Sequence, residues 1–172
     1  RDVEDSLRLP DGTFEMGADP STHPYGSLVN DGGPLVDGRG NNCIDTALAA
    51  LSSFYGHPEV SAPRYPDLLH DGAVDRDSGE VGGNERAGNW LGGDWFGRSD
   101  DLPDAHEDRG PELAALYQLI HDGVAESGPG AAALLIAEWA ATDGNGVHVY
   151  GTDGVVLGAG THAFVVVFPK DA

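Results

Sequence analysis

GRGNNCIDTALAAL, residues 38–51, is the stretch of this chain with the clearest structural signal. Its glycines and asparagines form a turn, and apolar residues then recur at the three- and four-residue spacing of a helix. The apolar residues of this pattern are Ile44, Ala47, Leu48, Leu51 and Tyr55. Asn41 or Asn42 is the natural N-cap, and Gly56 ends the pattern. The sequence therefore predicts a helix over residues 43–55.

The single cysteine, Cys43, stands at the start of this helix. Backbone N–H groups at a helix N-terminus carry partial positive charge, which stabilises a thiolate. Far downstream, His162 opens a β-rich run in GTHAFVVV, and His148 is its rival as a base. A cysteine at a helix start and a histidine on a distant strand are typical of papain-like acyl transfer. The alternative is an inert buried cysteine that acts only as a small hydrophobic residue.

Length and composition indicate one domain with many loops. The chain has 172 residues, 26 of them Gly and 11 Pro, and 40% of the residues are hydrophobic. Residues 1–37 are rich in Asp, Gly, Pro and Asn with little periodicity, so they predict an extended N-terminal arm. Residues 38–172 are expected to form a single globular unit.

The charge balance is strongly acidic. Nine Lys and Arg residues stand against 29 Asp and Glu residues, which gives a net charge of −20. Nucleic acid and anionic lipid bind through Lys and Arg, so both are disfavoured as partners. No run approaches the roughly 18 apolar residues of a membrane span. The acidic surface favours either solubility or attraction of a basic protein partner, and the sequence leaves both open.

Two further helices and several short strands are predicted downstream. A short helix is expected at 84–91, with Trp90 and Leu91 as its core contacts, and a longer helix at 111–127. Apolar and β-branched runs divided by glycine turns predict antiparallel strands. These runs cover residues 131–140, 147–150, 155–157 and 162–168. Helices followed by strands indicate an α+β fold, in which the N-terminal helices, one of them starting at the cysteine, pack on a C-terminal antiparallel sheet.

Acyl transfer needs a thiolate, a base for its proton and donors that face the developing oxyanion. Cys43 is the candidate nucleophile and His162 the candidate base. The backbone N–H of Cys43 and the side chain of Asn42 or Asn41 are the candidate oxyanion donors. Asp171 is the candidate residue that orients the imidazole. Metal-binding and nucleotide-binding motifs are absent from the sequence, so neither a metal nor a cofactor is expected.

Five segments of the chain occur in a characteristic order. They are GNNCIDTALA (40–49), YGHP (55–58), APR (62–64), GPG (128–130) and GTHAFVVV (160–167). Together they resemble the papain-fold toxin family of glutamine deamidases, found as C-terminal domains of bacterial polymorphic toxins. The resemblance implies a papain-like fold, with Cys43 as nucleophile and His162 as general base. The chain differs from the family at Thr161, where glycine is usual. The family also continues past Ala172 into a strand that carries the aspartate orienting the histidine.

The resemblance implies deamidation of a glutamine on a target protein. The Cys43 thiolate attacks the side-chain amide, His162 protonates the leaving ammonia, and water hydrolyses the thioester to leave glutamate. It also implies a domain that is secreted or delivered as an effector and acts in the target-cell cytoplasm, and it allows an immunity protein as a second partner. The alternatives are a papain-like cysteine peptidase and a non-catalytic acidic protein-binding domain.

Overall fold

The computed structural model describes residues 1–65, 67–68, 70–75, 82–92, 110–140 and 158–170. Its helices are α1 (Asp2–Leu7), α2 (Tyr25–Leu28), α3 (Cys43–Phe54), α4 (Gly83–Leu91) and α5 (Gly110–Ser127). Its strands are β1 (Asp67–Leu68), β2 (Val74–Asp75), β3 (Ala132–Ala140) and β4 (Gly158–Val167). Strands β1 and β2 form one antiparallel pair, and β3 and β4 form another. This arrangement confirms the predicted α+β fold.

Helix α3 is the centre of the described structure. The sequence predicted one apolar face, but α3 is buried on two sides because small alanines allow neighbours to approach all round. Ala49 and Ala50 pack into an N-terminal cluster, whose other buried members are Val3, Leu7, Ala18, Tyr25 and Val29. Ile44, Ala47 and Leu48 pack into a C-terminal cluster, whose other buried members are Ala87 and Ala163. The helix therefore joins the two halves of the core.

The end of α3 follows the sequence prediction closely. The helix ends at Phe54, one residue before the predicted end, and Tyr55 is its C-cap. Gly56 then takes a positive φ of 82°, a conformation that favours glycine. An added Cβ at Gly56 would lie 2.6 Å from Cγ of Met16, so a larger residue there would also have to displace the Met16 side chain.

Residues 1–37 are not an extended arm, contrary to the sequence prediction. They contain α1 and α2, and they contribute most of the buried residues of the N-terminal cluster. Tyr25 of α2 is fully buried, and its hydroxyl donates a hydrogen bond to the Ala18 carbonyl at 3.1 Å. The turn residues that predicted an arm instead connect short helices that pack on α3. The domain boundary at residue 38 stays a prediction.

Strands β3 and β4 form the sheet that packs on α3. Their register runs from Ala132 opposite Val167 to Ala140 opposite Gly158, with an irregularity between Trp139 and Ala140. Val165 of β4 packs against both core clusters, so this strand contributes to both halves of the core. Both strands confirm the predictions for residues 131–140 and 162–168. The predicted strands at 147–150 and 155–157 lie outside the described residues.

Helices α4 and α5 confirm two further predicted elements, but the contacts of α4 differ from those expected. Trp90 and Leu91 are 47% and 44% exposed, so their prediction as core contacts is wrong. Ala87 is fully buried instead, because its small side chain lets α4 approach α3 closely. On α5, Val124 is buried and Tyr117 is exposed. Within the described part of the chain, no helix combines the length and the apolar character that crossing a bilayer requires.

Candidate active site

Cys43 is the first residue of α3 and is half-buried. Asn42 is the N-cap, with φ −130° and ψ 41°, and its carbonyl accepts the N–H of Thr46 at 2.9 Å as the first bond of the helix. Cys43 also packs against the C-terminal cluster. The structure therefore places the thiol at a helix N-terminus, where the aligned peptide dipoles favour negative charge.

His162 lies on β4, opposite Ala137 of β3 in the sheet register. Its side chain is exposed, whereas the next residue, Ala163, is buried in the C-terminal cluster on which Cys43 packs. Side chains alternate along a strand, so His162 leaves β4 on the face opposite Ala163. The structure thus packs the two elements that carry Cys43 and His162 against each other, with the imidazole exposed on the face of β4 opposite the cluster that Cys43 contacts. A contact between the thiol and the imidazole is therefore a proposal.

The side chain of Asn42 does not cap α3. Its amide nitrogen instead donates to Asn30 Oδ1 at 3.0 Å, to Ser61 Oγ at 3.1 Å and to the Ala62 carbonyl at 3.0 Å. Asn42 is only 2% exposed. An amide that is buried and shared among three acceptors has no donor left for an oxyanion, so we do not carry that role forward for Asn42. Asn41, which is exposed, remains the side chain proposed for it.

A salt bridge joins α4 to the first turn of α3. Arg86 Nη2 lies 2.9 Å from Asp45 Oδ1, two residues after Cys43. The pair is partly exposed, and an ion pair of this kind stabilises the fold by at most about 1 kcal/mol. It also places a guanidinium beside the acidic first turn of the helix. Sequence reasoning missed Arg86, since 41 residues separate it from Asp45.

The family model for papain fold toxin 1, glutamine deamidase, matches residues 41–172. The chain belongs to this family. No curated protein and no solved structure matches the chain.

The match to the papain-fold toxin family includes α3, α4, α5 and the β3–β4 sheet. Cys43 and His162 both lie inside the matched region, as does Asn42. The family consists of toxin domains with glutamine deamidase activity, so the fold predicted from the sequence and the family name agree. Helices α1 and α2 lie outside the match, although they complete the core of this chain.

Two residues named from the sequence lie outside the described residues of this papain-fold toxin domain. Asp171, the candidate partner of the histidine, and His148, the rival base, both fall there. Among the residues that the structure does describe, no three His, Cys, Asp or Glu side chains are grouped so as to hold a metal ion.

Proposed function

We propose that this chain is a cysteine-dependent protein glutamine deamidase that acts as a toxin domain. One observation carries the proposal: Cys43 begins α3, and α3 packs on the strand that holds His162, inside a region matched by a glutamine deamidase family. A thiol at a helix N-terminus and a histidine on an adjoining strand are the two groups that acyl transfer to sulfur requires.

The proposed reaction has two halves. In the first, His162 accepts the thiol proton and Cys43 Sγ bonds to the amide carbon of a glutamine side chain. The C–N bond breaks, and ammonia leaves with the proton that His162 returns. In the second half, water adds to the thioester carbon and the C–S bond breaks. The products are glutamate and the regenerated thiol, so the sum is amide plus water to carboxylic acid plus ammonia.

Two further groups complete the proposed site. The oxyanion of each tetrahedral intermediate accepts hydrogen bonds from the Cys43 backbone N–H and from the Asn41 side chain, since both belong to the turn that starts α3. Asp171 is proposed to orient the His162 imidazole, because a carboxylate on one ring nitrogen fixes which nitrogen serves as the base.

The partners proposed for the domain are proteins. The substrate is a protein that presents a glutamine at its surface, and an immunity protein is the proposed inhibitor in the producing cell. The net charge of −20 favours association with proteins whose surface is basic. The proposed place of action is the cytoplasm of a target cell, which the domain reaches by secretion or delivery from a longer toxin.

The proposed function is tested by incubating the full chain with a cell protein extract and following ammonia release and peptide masses. The wild-type chain is expected to release ammonia and to convert one or a few glutamines to glutamate. Cys43→Ala and His162→Ala are expected to abolish both signals while keeping the far-UV circular dichroism spectrum. His121→Ala is the matched control, because His121 is an exposed histidine on α5, and it is expected to keep full activity.

Three outcomes contradict this function. If Cys43→Ala releases ammonia at the wild-type rate, the thiol is not the nucleophile. Cleaved backbones without conversion of glutamine identify the chain as a peptidase instead. If the wild-type chain changes no protein in extracts of bacterial or eukaryotic cells, a non-catalytic binding domain replaces the enzyme.

A further inference from the structure

Four polar side chains form a buried network directly before Cys43. They are Asn30, Arg39, Asn42 and Ser61, and we name them the Asn42 network. Asn42, Ser61 and Arg39 are 2%, 4% and 8% exposed. The Ser61 hydroxyl lies at the centre: it accepts from Asn42 Nδ2 and Arg39 Nη1, each at 3.1 Å, and donates to Asn30 Oδ1 at 3.1 Å. Each of the four residues therefore forms hydrogen bonds with at least two of the others.

The network is anchored to the backbone on several sides. The Ser61 N–H donates to the Val29 carbonyl at 2.8 Å, and Asn30 Nδ2 donates to the Arg39 carbonyl at 3.1 Å. Arg39 also donates to the Ser61 carbonyl, and its charge is met by Asp31 Oδ2 at 3.1 Å. Buried polar networks whose members are satisfied rigidify the segments that they join. This network joins the end of α2, the turn before α3 and the segment at 61–62.

Asn42 is the member of the network that directly precedes Cys43 in the chain. Asparagine at an N-cap ordinarily accepts a hydrogen bond from the second or third N–H of its helix. Here the side chain turns away from the helix and donates to three acceptors in the network. Its side chain is held on one side and its carbonyl begins α3 on the other, so the backbone of Asn42 fixes where Cys43 starts the helix.

We propose that the Asn42 network positions the nucleophile, with Asn42 and Ser61 as positioning residues for Cys43. This inference rests on the proposed deamidase function, because it assigns the network a role in the placing of the reacting sulfur. None of the four side chains is assigned contact with the substrate. Loss of the network is expected to displace the first turn of α3, and displacements of about 1 Å slow enzymatic reactions by up to about a hundredfold.

The test compares two buried serines, one at each end of α3. Ser61 contacts the N-cap residue Asn42, and Ser53 lies in the last turn. Ser61→Ala removes the hydroxyl at the centre of the network. Ser53→Ala is the matched control: Ser53 is fully buried at the far end of α3, where its hydroxyl accepts the Glu59 N–H at 3.1 Å. Each variant is measured for urea unfolding, for the rate of iodoacetamide alkylation of Cys43, and for ammonia release from a protein extract.

Both variants are expected to lose similar amounts of stability, because each removes one buried hydroxyl. Only Ser61→Ala is expected to slow alkylation and ammonia release, by about tenfold or more. If Ser61→Ala fails to fold, Asn30→Ala replaces it, since the Asn30 amide oxygen accepts from both Asn42 and Ser61 and Asn30 is only half-buried.

The inference is overturned if the folded network variant alkylates and releases ammonia at the rates of Ser53→Ala. Failure of the proposed function gives a different result, because the wild-type chain would then release no ammonia. The alkylation rates of the two serine variants still decide on positioning in that case. A difference between them supports the network's control of the thiol, and equal rates refute it.

Discussion

At the scale of single residues, Cys43 lies between an apolar and a polar environment. On one side it packs against the C-terminal cluster around Ile44 and Ala163. On the other side its neighbour Asn42 belongs to a buried polar network. The apolar contacts hold the start of the helix against the sheet, while the polar contacts set its direction. A buried cysteine that served only for packing would need the apolar contacts but not the polar network.

Tyr25 provides a prediction about stability at high pH. Burial, and then the nearby charge of Asp19, raise the pKa of the Tyr25 phenol, so the folded chain keeps it protonated. The unfolded chain ionises its tyrosines near pH 10. The stabilising contribution is therefore complete below about pH 10 and is lost as the pH rises further. Tyr25→Phe should lower the free energy of unfolding by about 1 kcal/mol at pH 7 through loss of the bond to Ala18.

The same substitution should flatten the fall in stability between about pH 10 and pH 12, because unfolding then no longer exposes the Tyr25 phenol to ionisation. Urea unfolding at a series of pH values measures both effects. Tyr117→Phe is the control, since Tyr117 is 59% exposed, and it should leave the slope unchanged. An equal slope in Tyr25→Phe and the wild-type chain would refute this explanation.

At the scale of elements, α4 docks on α3 through one small residue. Ala87 is fully buried against Ile44, Ala47 and Leu48. The Arg86–Asp45 salt bridge joins the two helices beside this contact, at a partly exposed edge. Since close helix approach needs small side chains, the size of residue 87 sets the distance between the two helices.

Ala87→Leu is therefore expected to destabilise the chain by about 1–3 kcal/mol, because the added atoms overfill a packed contact. The control is Ala115→Leu, which places the same change on an exposed position of α5 and should cost less than about 0.5 kcal/mol. Urea unfolding measures both. If the two variants were equally stable, α4 would not dock on α3 through residue 87.

The elements that could be predicted are those with a long local pattern. Helix α3 has twelve residues with regular apolar spacing, and glycines mark its end. Helices α1 and α2 have only six and four residues, so each shows too few apolar positions for a period to be recognised. Trp90 was expected in the core because of its large apolar area, but the position of α4 depends on tertiary contacts at Ala87 that no local pattern contains.

Of the candidate site, the sequence could predict the parts that belong to single elements. Cys43 at a helix start and His162 on a strand both follow from local signals, and the structure packs their two elements together. The role of Asn42 could not be predicted correctly, because its partners Asn30 and Ser61 are 12 and 19 residues away. The sequence does not show which polar residues of different turns will form hydrogen bonds with one another in the folded chain.

At the scale of the whole molecule, the N-terminal residues are part of the core although the family match begins at residue 41. The Gly17 N–H donates to the Phe54 carbonyl at 2.7 Å, and the Gly17 carbonyl accepts the Lys170 N–H at 2.9 Å. This one residue therefore connects the end of α3 with the segment after β4. Other residues of the N-terminal segment, from Val3 to Val29, pack in one cluster with Ala49 and Ala50.

A chain that begins at residue 38 is accordingly expected not to fold cooperatively, because the N-terminal cluster would lose Val3, Leu7, Ala18, Tyr25 and Val29. Circular dichroism during heating measures this. Within the full chain, Leu7→Ala should cost about 2–5 kcal/mol, whereas Leu9→Ala, at a position that is 38% exposed, should cost much less. A shortened chain with the unfolding transition of the full chain would show that residues 1–37 are dispensable.

The rate of iodoacetamide alkylation at neutral pH is the most direct test of the central claim, which is that Cys43 is a nucleophile paired with His162. The chain has one cysteine, so every alkylation event reports on Cys43. We predict that the thiol of the folded wild-type chain is alkylated faster than the thiol of the same chain unfolded in urea, and that His162→Ala slows alkylation of the folded chain. A folded wild-type chain that reacts no faster than the unfolded chain, at a rate unchanged in His162→Ala, would contradict the account.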